Sequence, residues 1–130
     1  MLEVLRFAEA FHAHSMWSSV PFDYQKVYNT LLNAAAGGGL FRNNRGGFIC
    51  GVITPLIFTD DVTVATEVAW WSPNGGGRDL RKAFENWARE SGATFVQFSS
   101  LADKDMARVN KLMNKAGFNL AEMSYLKELS

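Results

Sequence analysis

EVAWWSPNGGGRDLRKAFENWARESGATFVQF, residues Glu67 to Phe98, reads as strand, glycine turn, helix and strand. An alternating run through Val62, Val64, Thr66, Val68 and Trp70 ends at Ser72-Pro73-Asn74, and Gly75-Gly76-Gly77 then open an amphipathic helix. Leu80, Ala83, Phe84, Trp87 and Ala88 recur at helical spacing, with Arg81, Lys82, Glu85, Arg89 and Glu90 on the other face and Gly92 as a left-handed stop. Phe95, Val96 and Phe98 follow as a short apolar strand. Strand, helix and strand of these lengths make a right-handed parallel crossover, which sets the glycine turn at the carboxyl end of the first strand, where such folds bind ligands. The first amides of a helix have no internal partner and carry roughly half a unit of positive charge, so a phosphate is the natural occupant. With nothing bound, the same glycines are simply a flexible connection.

Size and charge narrow the classes. The chain has 130 residues, 48% of them hydrophobic, which predicts one domain over 1–130 with a substantial core. Its 13 basic and 13 acidic side chains cancel, leaving no global field to draw in nucleic acid or an anionic membrane. Cys50, the single cysteine, cannot form an internal disulfide and fits a reducing cytoplasm as a buried apolar filler. No basic-then-apolar leader opens the chain, and the longest apolar run, Phe48 to Phe58, is too short for a membrane span and carries Pro55.

Two helices come first. Val4, Phe7, Ala8 and Phe11 mark one that starts almost at Met1 and runs out near His12 or His14. His14 to Phe22 is a loop, and Asp23 caps a second helix that ends at Gly37-Gly38-Gly39. Three strands follow as an antiparallel meander: Leu40 to Arg42, a hairpin turn at Asn43-Asn44-Arg45-Gly46, a long run from Gly47 to Phe58 interrupted at Pro55, and a turn at Asp60-Asp61 into the strand that carries Glu67. After the crossover, Met106, Val109, Leu112, Met113 and Ala116 form the core stripe of a fourth helix that starts around Asp103 and stops at Gly117. Phe118 to Leu129 is expected to close the chain as a strand or strand pair.

This element order resembles the GNAT family of N-acetyltransferases over nearly the whole chain. The resemblance rests most on E-V-A-W-W-S-P-N-G-G-G-R-D-L (Glu67–Leu80), A-F-E-N-W-A-R-E-S-G-A (Ala83–Ala93) and N-K-A-G-F (Asn114–Phe118). The opening helix with His12, His14 and Ser15, then Pro21-Phe22-Asp23, is similar to small bacteriophage acetyltransferase-like proteins. What the resemblance implies is an α/β (α+β) fold with a mixed, mostly antiparallel sheet, about four flanking helices and a parallel strand-helix-strand crossover at the coenzyme site. Its fourth and fifth strands would splay apart to admit acetyl-CoA. Pantetheine would pair with backbone around Trp70 and Trp71, and the pyrophosphate would lie on Asn74, Gly75, Gly76, Gly77, Arg78 and Asp79. The family pattern of Gln or Arg, two residues, Gly, one residue, then Gly or Ala falls on Ser72, Gly75 and Gly77. Two departures stand out: the turn between Pro73 and Gly77 is shorter than usual, and Met113 occupies the place of the tyrosine that protonates the leaving thiolate. Methionine has no proton to give. Tyr125 or water replaces it, or acid help is dispensable.

Glu67 is the candidate base, with small and aromatic neighbours expected on its strand face (Ala65, Ala69 and Trp71) to desolvate the carboxylate. The Trp71 N–H is the candidate oxyanion donor. His14, Ser15, Trp17 and Phe22 are expected to line the acceptor side, together with Ser99 at the end of the last crossover strand. His12 and His14 lie on different helix faces with no Cys or acidic cluster beside them, so no metal site is expected. The resulting expectation is acetyl transfer from acetyl-CoA to an amine, namely a protein lysine, an N-terminus or a small amine, by direct attack. The protein would work in the cytoplasm, that of the host if phage-encoded, with room for a homodimer. The alternative is a catalytically weak or inactive GNAT-shaped binding module, such as a phage protein acting on a host protein.

Overall fold

Two helices precede any strand in the computed structural model, which describes residues 1–100 and 105–129. Contacts divide the chain into two compact units, Met1–Phe98 and Ser99–Ser130. In the first, α1 (Leu2–His14) buries Val4 and Ala8, and α2 (Tyr24–Ala36) buries Leu31 and Ala34. The Lys26 N–H donates to Asp23 Oδ1 at 3.1 Å, satisfying one of the orphan donors at the start of α2. Strands β1 (Leu40–Arg42), β2 (Phe48–Leu56) and β3 (Thr59–Trp71) form the antiparallel meander, and α3 (Gly77–Glu90) carries the chain to β4 (Phe95–Gln97), which pairs with β3 in parallel. The sheet order is β1-β2-β3-β4. Among the described residues, no helix is long and apolar enough to cross a membrane.

The sheet separates two apolar clusters. On one face Val4, Ala8, Leu31 and Ala34 pack over Phe48 and Cys50; on the other Leu80, Phe84 and Ala88 of α3 pack over Ile49 and Ala65. Between Cys50 and Gly51 the β2–β3 register slips, since Cys50 faces Ala69 while Gly51 faces Glu67, leaving Val68 as an extra residue on β3. A one-residue slip exchanges the two faces of a strand. Ala65 accordingly lies in the α3 cluster, whereas Ala69 and Trp71 pack against the α1–α2 cluster and Trp70 against α3. Glu67 therefore does not share one face with Ala65, Ala69 and Trp71, as strict alternation predicts; the bulge divides that set.

Four more sequence expectations are corrected. The β2–β3 turn is at Ile57-Phe58, and Asp60 and Asp61 already belong to β3. Pairing in the buried part of the ladder sets where the chain reverses, and a second register slip at Pro55/Leu56 leaves Ile57 and Phe58 91% and 88% exposed at the tip. Arg81, expected on the solvated face of α3, is buried and ion-paired with Glu85 one turn on. In the second unit, α4 (Met106–Lys115) ends before Gly117 at φ +92°, but it has no buried residues, so its apolar stripe is not a core. Its expected start at Asp103 lies outside the described residues. Residues 118–129 form no strand, because strands are held by neighbouring ladders and the described residues of this unit contain none to pair with.

Cys50 yields a test of the packing. Burial, and then the charge of Glu67, push its thiol from 9.0 up to about 11, partly offset by a backbone hydrogen bond to Ala69. Below pH 9 the thiol is protonated in both states; between 9 and 11 the unfolded chain ionises first, so stability should fall as pH rises through that window. Ultraviolet thiolate absorbance of the folded protein checks this, and a midpoint near 9.0 would contradict the burial.

Candidate active site

The parallel ladder joins Val64, Ala65 and Thr66 to Phe95, Val96 and Gln97, and β3 then runs on from Glu67 to Trp71 beyond the end of β4. The strands thus part at Glu67, beside the bulge. At the far end of this opening the chain turns through Ser72-Pro73-Asn74-Gly75 to Gly76, the N-cap of α3, whose φ of +82° is a left-handed conformation suited to glycine. Among the described residues no side chain caps α3. The amides of Gly77, Arg78 and Asp79 precede the first intrahelical bond, Leu80 N–H to Gly76 O at 3.1 Å, so they are the orphan donors of the helix start. The turn is closely packed, with no room for a larger residue at its glycines: a Cβ on Gly77 would stand 2.8 Å from Ser72 Oγ.

Three buried polar atoms line the same stretch without a hydrogen-bond partner: Trp70 Nε1, Trp71 Nε1 and Ser72 Oγ. Such atoms are costly to leave unpaired, and a polar ligand is one way to satisfy them. The two indoles diverge, as neighbours on a strand do, and the bulge sets which face each takes. Trp70 packs against Phe98 at 5.5 Å between ring centres, while Trp71 packs against Phe11 and His14, each at 5.5 Å. Glu67 is 9% exposed, and its charge acts on Cys50 in the α1–α2 cluster.

Of the expected acceptor-side residues, His14 meets Trp71 at the end of β3. Its Nδ1 donates to the Ala10 carbonyl at 2.8 Å, which leaves Nε2 as the acceptor nitrogen of the neutral ring. The Ser15 hydroxyl is engaged in ending α1, donating to His12 O at 2.9 Å and accepting from Trp17 N–H at 3.1 Å. Trp17 is 45% exposed, and Phe22 packs between His12 and Tyr24. His12 donates from Nε2 to Val20 O, tying down the loop. Arg78 and Asp79 are exposed on the first turn of α3. Ser99 and Tyr125 belong to the second unit, where Tyr125 is 89% exposed. No group of three metal-ligating side chains gathers among the described residues.

Sequence reasoning missed the contribution of the β1–β2 turn. Arg42 pairs with Phe48, and Phe48 in turn with Trp71, so this hairpin end lies beside the turn that follows β3. Asn43 Nδ2 donates to Gly75 O at 3.4 Å, and Asn74 Nδ2 donates to Arg45 O at 3.0 Å. The Asn-Asn-Arg-Gly signal marked a turn, but only the register showed what it touches.

This mixed sheet with its opening beside an uncapped crossover helix is the GNAT fold. Its structural likenesses are acetyltransferases. An acetyltransferase from Trypanosoma brucei superposes with a TM-score of 0.65 at 17% identity, over 96% of this chain and 92% of that one. AAC(6')-Iy, in complex with the bisubstrate analogue CoA-S-monomethyl-acetylneamine, gives 0.63 at 16% identity over 97% and 91%. An aminoglycoside acetyltransferase from an uncultured soil metagenomic sample, in complex with sisomicin, gives 0.64 at 15% identity over 99% and 88%. No family model and no curated protein matches the sequence.

Proposed function

We propose that the chain is an N-acetyltransferase that moves acetyl from acetyl-CoA to an amine by direct attack. The observation that carries this reading is the parting of β3 and β4 at Glu67, next to the uncapped start of α3. The residues fit the coenzyme: Asn74 and the Gly75–Asp79 amides, with Arg78, would hold the diphosphate, and the backbone of Trp70 and Trp71 would hold the pantetheine. Acetyl-CoA supplies the acyl group as an activated thioester. Glu67 takes the proton from the acceptor ammonium, and the Trp71 N–H supports the carbonyl oxygen. His14, Ser15, Trp17 and Phe22 face the acceptor, with Ser99 assigned there from the resemblance alone. For the proton of the leaving thiolate the candidates are Tyr125 and water, or acid help is dispensable.

The acceptor is an amine, and aminoglycosides are the first to test, since two of the similar structures carry neamine-derived or sisomicin ligands. Lysine peptides and peptide N-termini follow. Calorimetry with acetyl-CoA, then thiol release with each acceptor, checks the proposal; binding with acceptor-dependent release supports it. Failure to bind at millimolar coenzyme would favour the second reading, a phage binding module directed at a host protein. That reading is motivated by the short glycine turn and by Met113.

A further inference from the structure

The turn joining β1 and β2 brings a guanidinium to the glycine turn. A Cβ on Gly75 would stand 3.0 Å from Arg45 Nη1, and one on Gly76 would stand 3.9 Å from Arg45 Cδ and 2.7 Å from Asn43 Nδ2. Arg45 also lines a cavity of about 290 Å³ together with Asn43, Gly76 and Asp79. Its backbone is fixed from both sides: Asn43 Oδ1 accepts from Arg45 N–H at 3.0 Å and from Gly47 N–H at 2.9 Å, while Asn74 Nδ2 donates to Arg45 O at 3.0 Å. Arg42 pairs with Glu3 and Arg81 with Glu85, whereas Arg45 makes no ion pair with a described carboxylate. A cation held against a glycine turn, with orphan amides and an unpartnered buried Ser72 hydroxyl on the same stretch, is suited to a phosphorylated ligand.

We propose that Arg45 is a further coenzyme-binding residue, which adds a charge-assisted contact to the diphosphate and makes up for amides that the short turn lacks. This rests on the coenzyme reading above. It implies a preference for thioesters carrying a diphosphate over S-acetylpantetheine, which has none.

The test compares wild type, Arg45→Gln and Arg45→Lys with Lys82→Gln, a control that removes the same charge from the exposed face of α3. Calorimetry would measure affinity for acetyl-CoA, inorganic pyrophosphate and S-acetylpantetheine. Arg45→Gln should weaken acetyl-CoA and pyrophosphate about tenfold, the size expected for one charge-assisted hydrogen bond partly open to solvent. Arg45→Lys should recover part of that loss, while affinity for S-acetylpantetheine should not change in any variant. Equal acetyl-CoA affinity in wild type and Arg45→Gln, or an equal loss in Lys82→Gln, would overturn the role of Arg45 and leave the coenzyme reading standing. Arg45-dependent pyrophosphate binding without acetyl-CoA binding would keep the anion contact and remove the coenzyme. Wild type that binds neither would overturn both.

Discussion

Glu67→Gln should lower the rate of acetyl transfer at pH 7 by about 100-fold or more, the scale of a lost general base, with the deficit shrinking as pH rises. Glu67 is the first residue of β3 past its ladder with β4, and it faces Gly51 where the register slips. A carboxylate there is 9% exposed and stands at the threshold of the opening. An acceptor amine is charged at neutral pH and cannot attack until its proton is taken. Above the amine's own pKa, about 10.4 for a lysine, the base has nothing left to do. Glutamine keeps the shape and removes only the proton acceptor, so a pH–rate profile isolates the role. A ratio of wild type to variant that is constant from pH 7 to 10 would reject it. Cys50 is an internal reporter for the same variant: without the neighbouring charge its thiol should titrate below the present value of about 11.

Gly51→Ala should cost about 3 kcal/mol of stability, at the upper end for overpacking, because its neighbours cannot yield. The added Cβ would stand 2.2 Å from the Thr66 carbonyl oxygen and 2.5 Å from Phe84 Cζ. The first is ladder backbone and the second a ring with 0% exposure, so relief requires the two strands to move apart. Gly92→Ala is the control. Its Cβ would meet nothing within 4 Å, and only the left-handed φ of +79° is strained, for about 1 to 2 kcal/mol. Denaturant unfolding measures both. A Gly51→Ala midpoint no lower than that of Gly92→Ala would show that the bulge tolerates a side chain. Because Gly51 faces Glu67 across the slip, the same variant should disturb the candidate base, which ties stability to activity at one position.

Much of the fold was legible because local chemistry and tertiary packing agree. Asp23 before an apolar stripe and Asn43 to Gly46 between strand patterns satisfy backbone groups by short-range means, and the glycines before Leu80 supply the left-handed turn into a helix start. The structure places α2, the β1–β2 turn and α3 where these signals put them. The turn after β2 was misread for a corresponding reason. Asp60-Asp61 is a local turn signal, but the reversal at Ile57-Phe58 is set by ladder pairing from Gly51 to Pro55, a long-range property. Arg81 was misassigned because the polar side of a helical stripe says nothing about which neighbours cover it.

The candidate site divides along the same line. Sequence by itself determined that an unfilled helix start follows a strand end and that Glu67 belongs to that strand, since spacing and glycine chemistry act within a few residues of chain. Only tertiary structure decided that the strands part at Glu67, that one extra residue at Val68 turns Ala69 and Trp71 to the face opposite Ala65, and that Arg45 comes to rest against Gly75. Each of these depends on register between segments distant in sequence. Register is chosen by the best packing of whole faces and leaves no mark at any single residue.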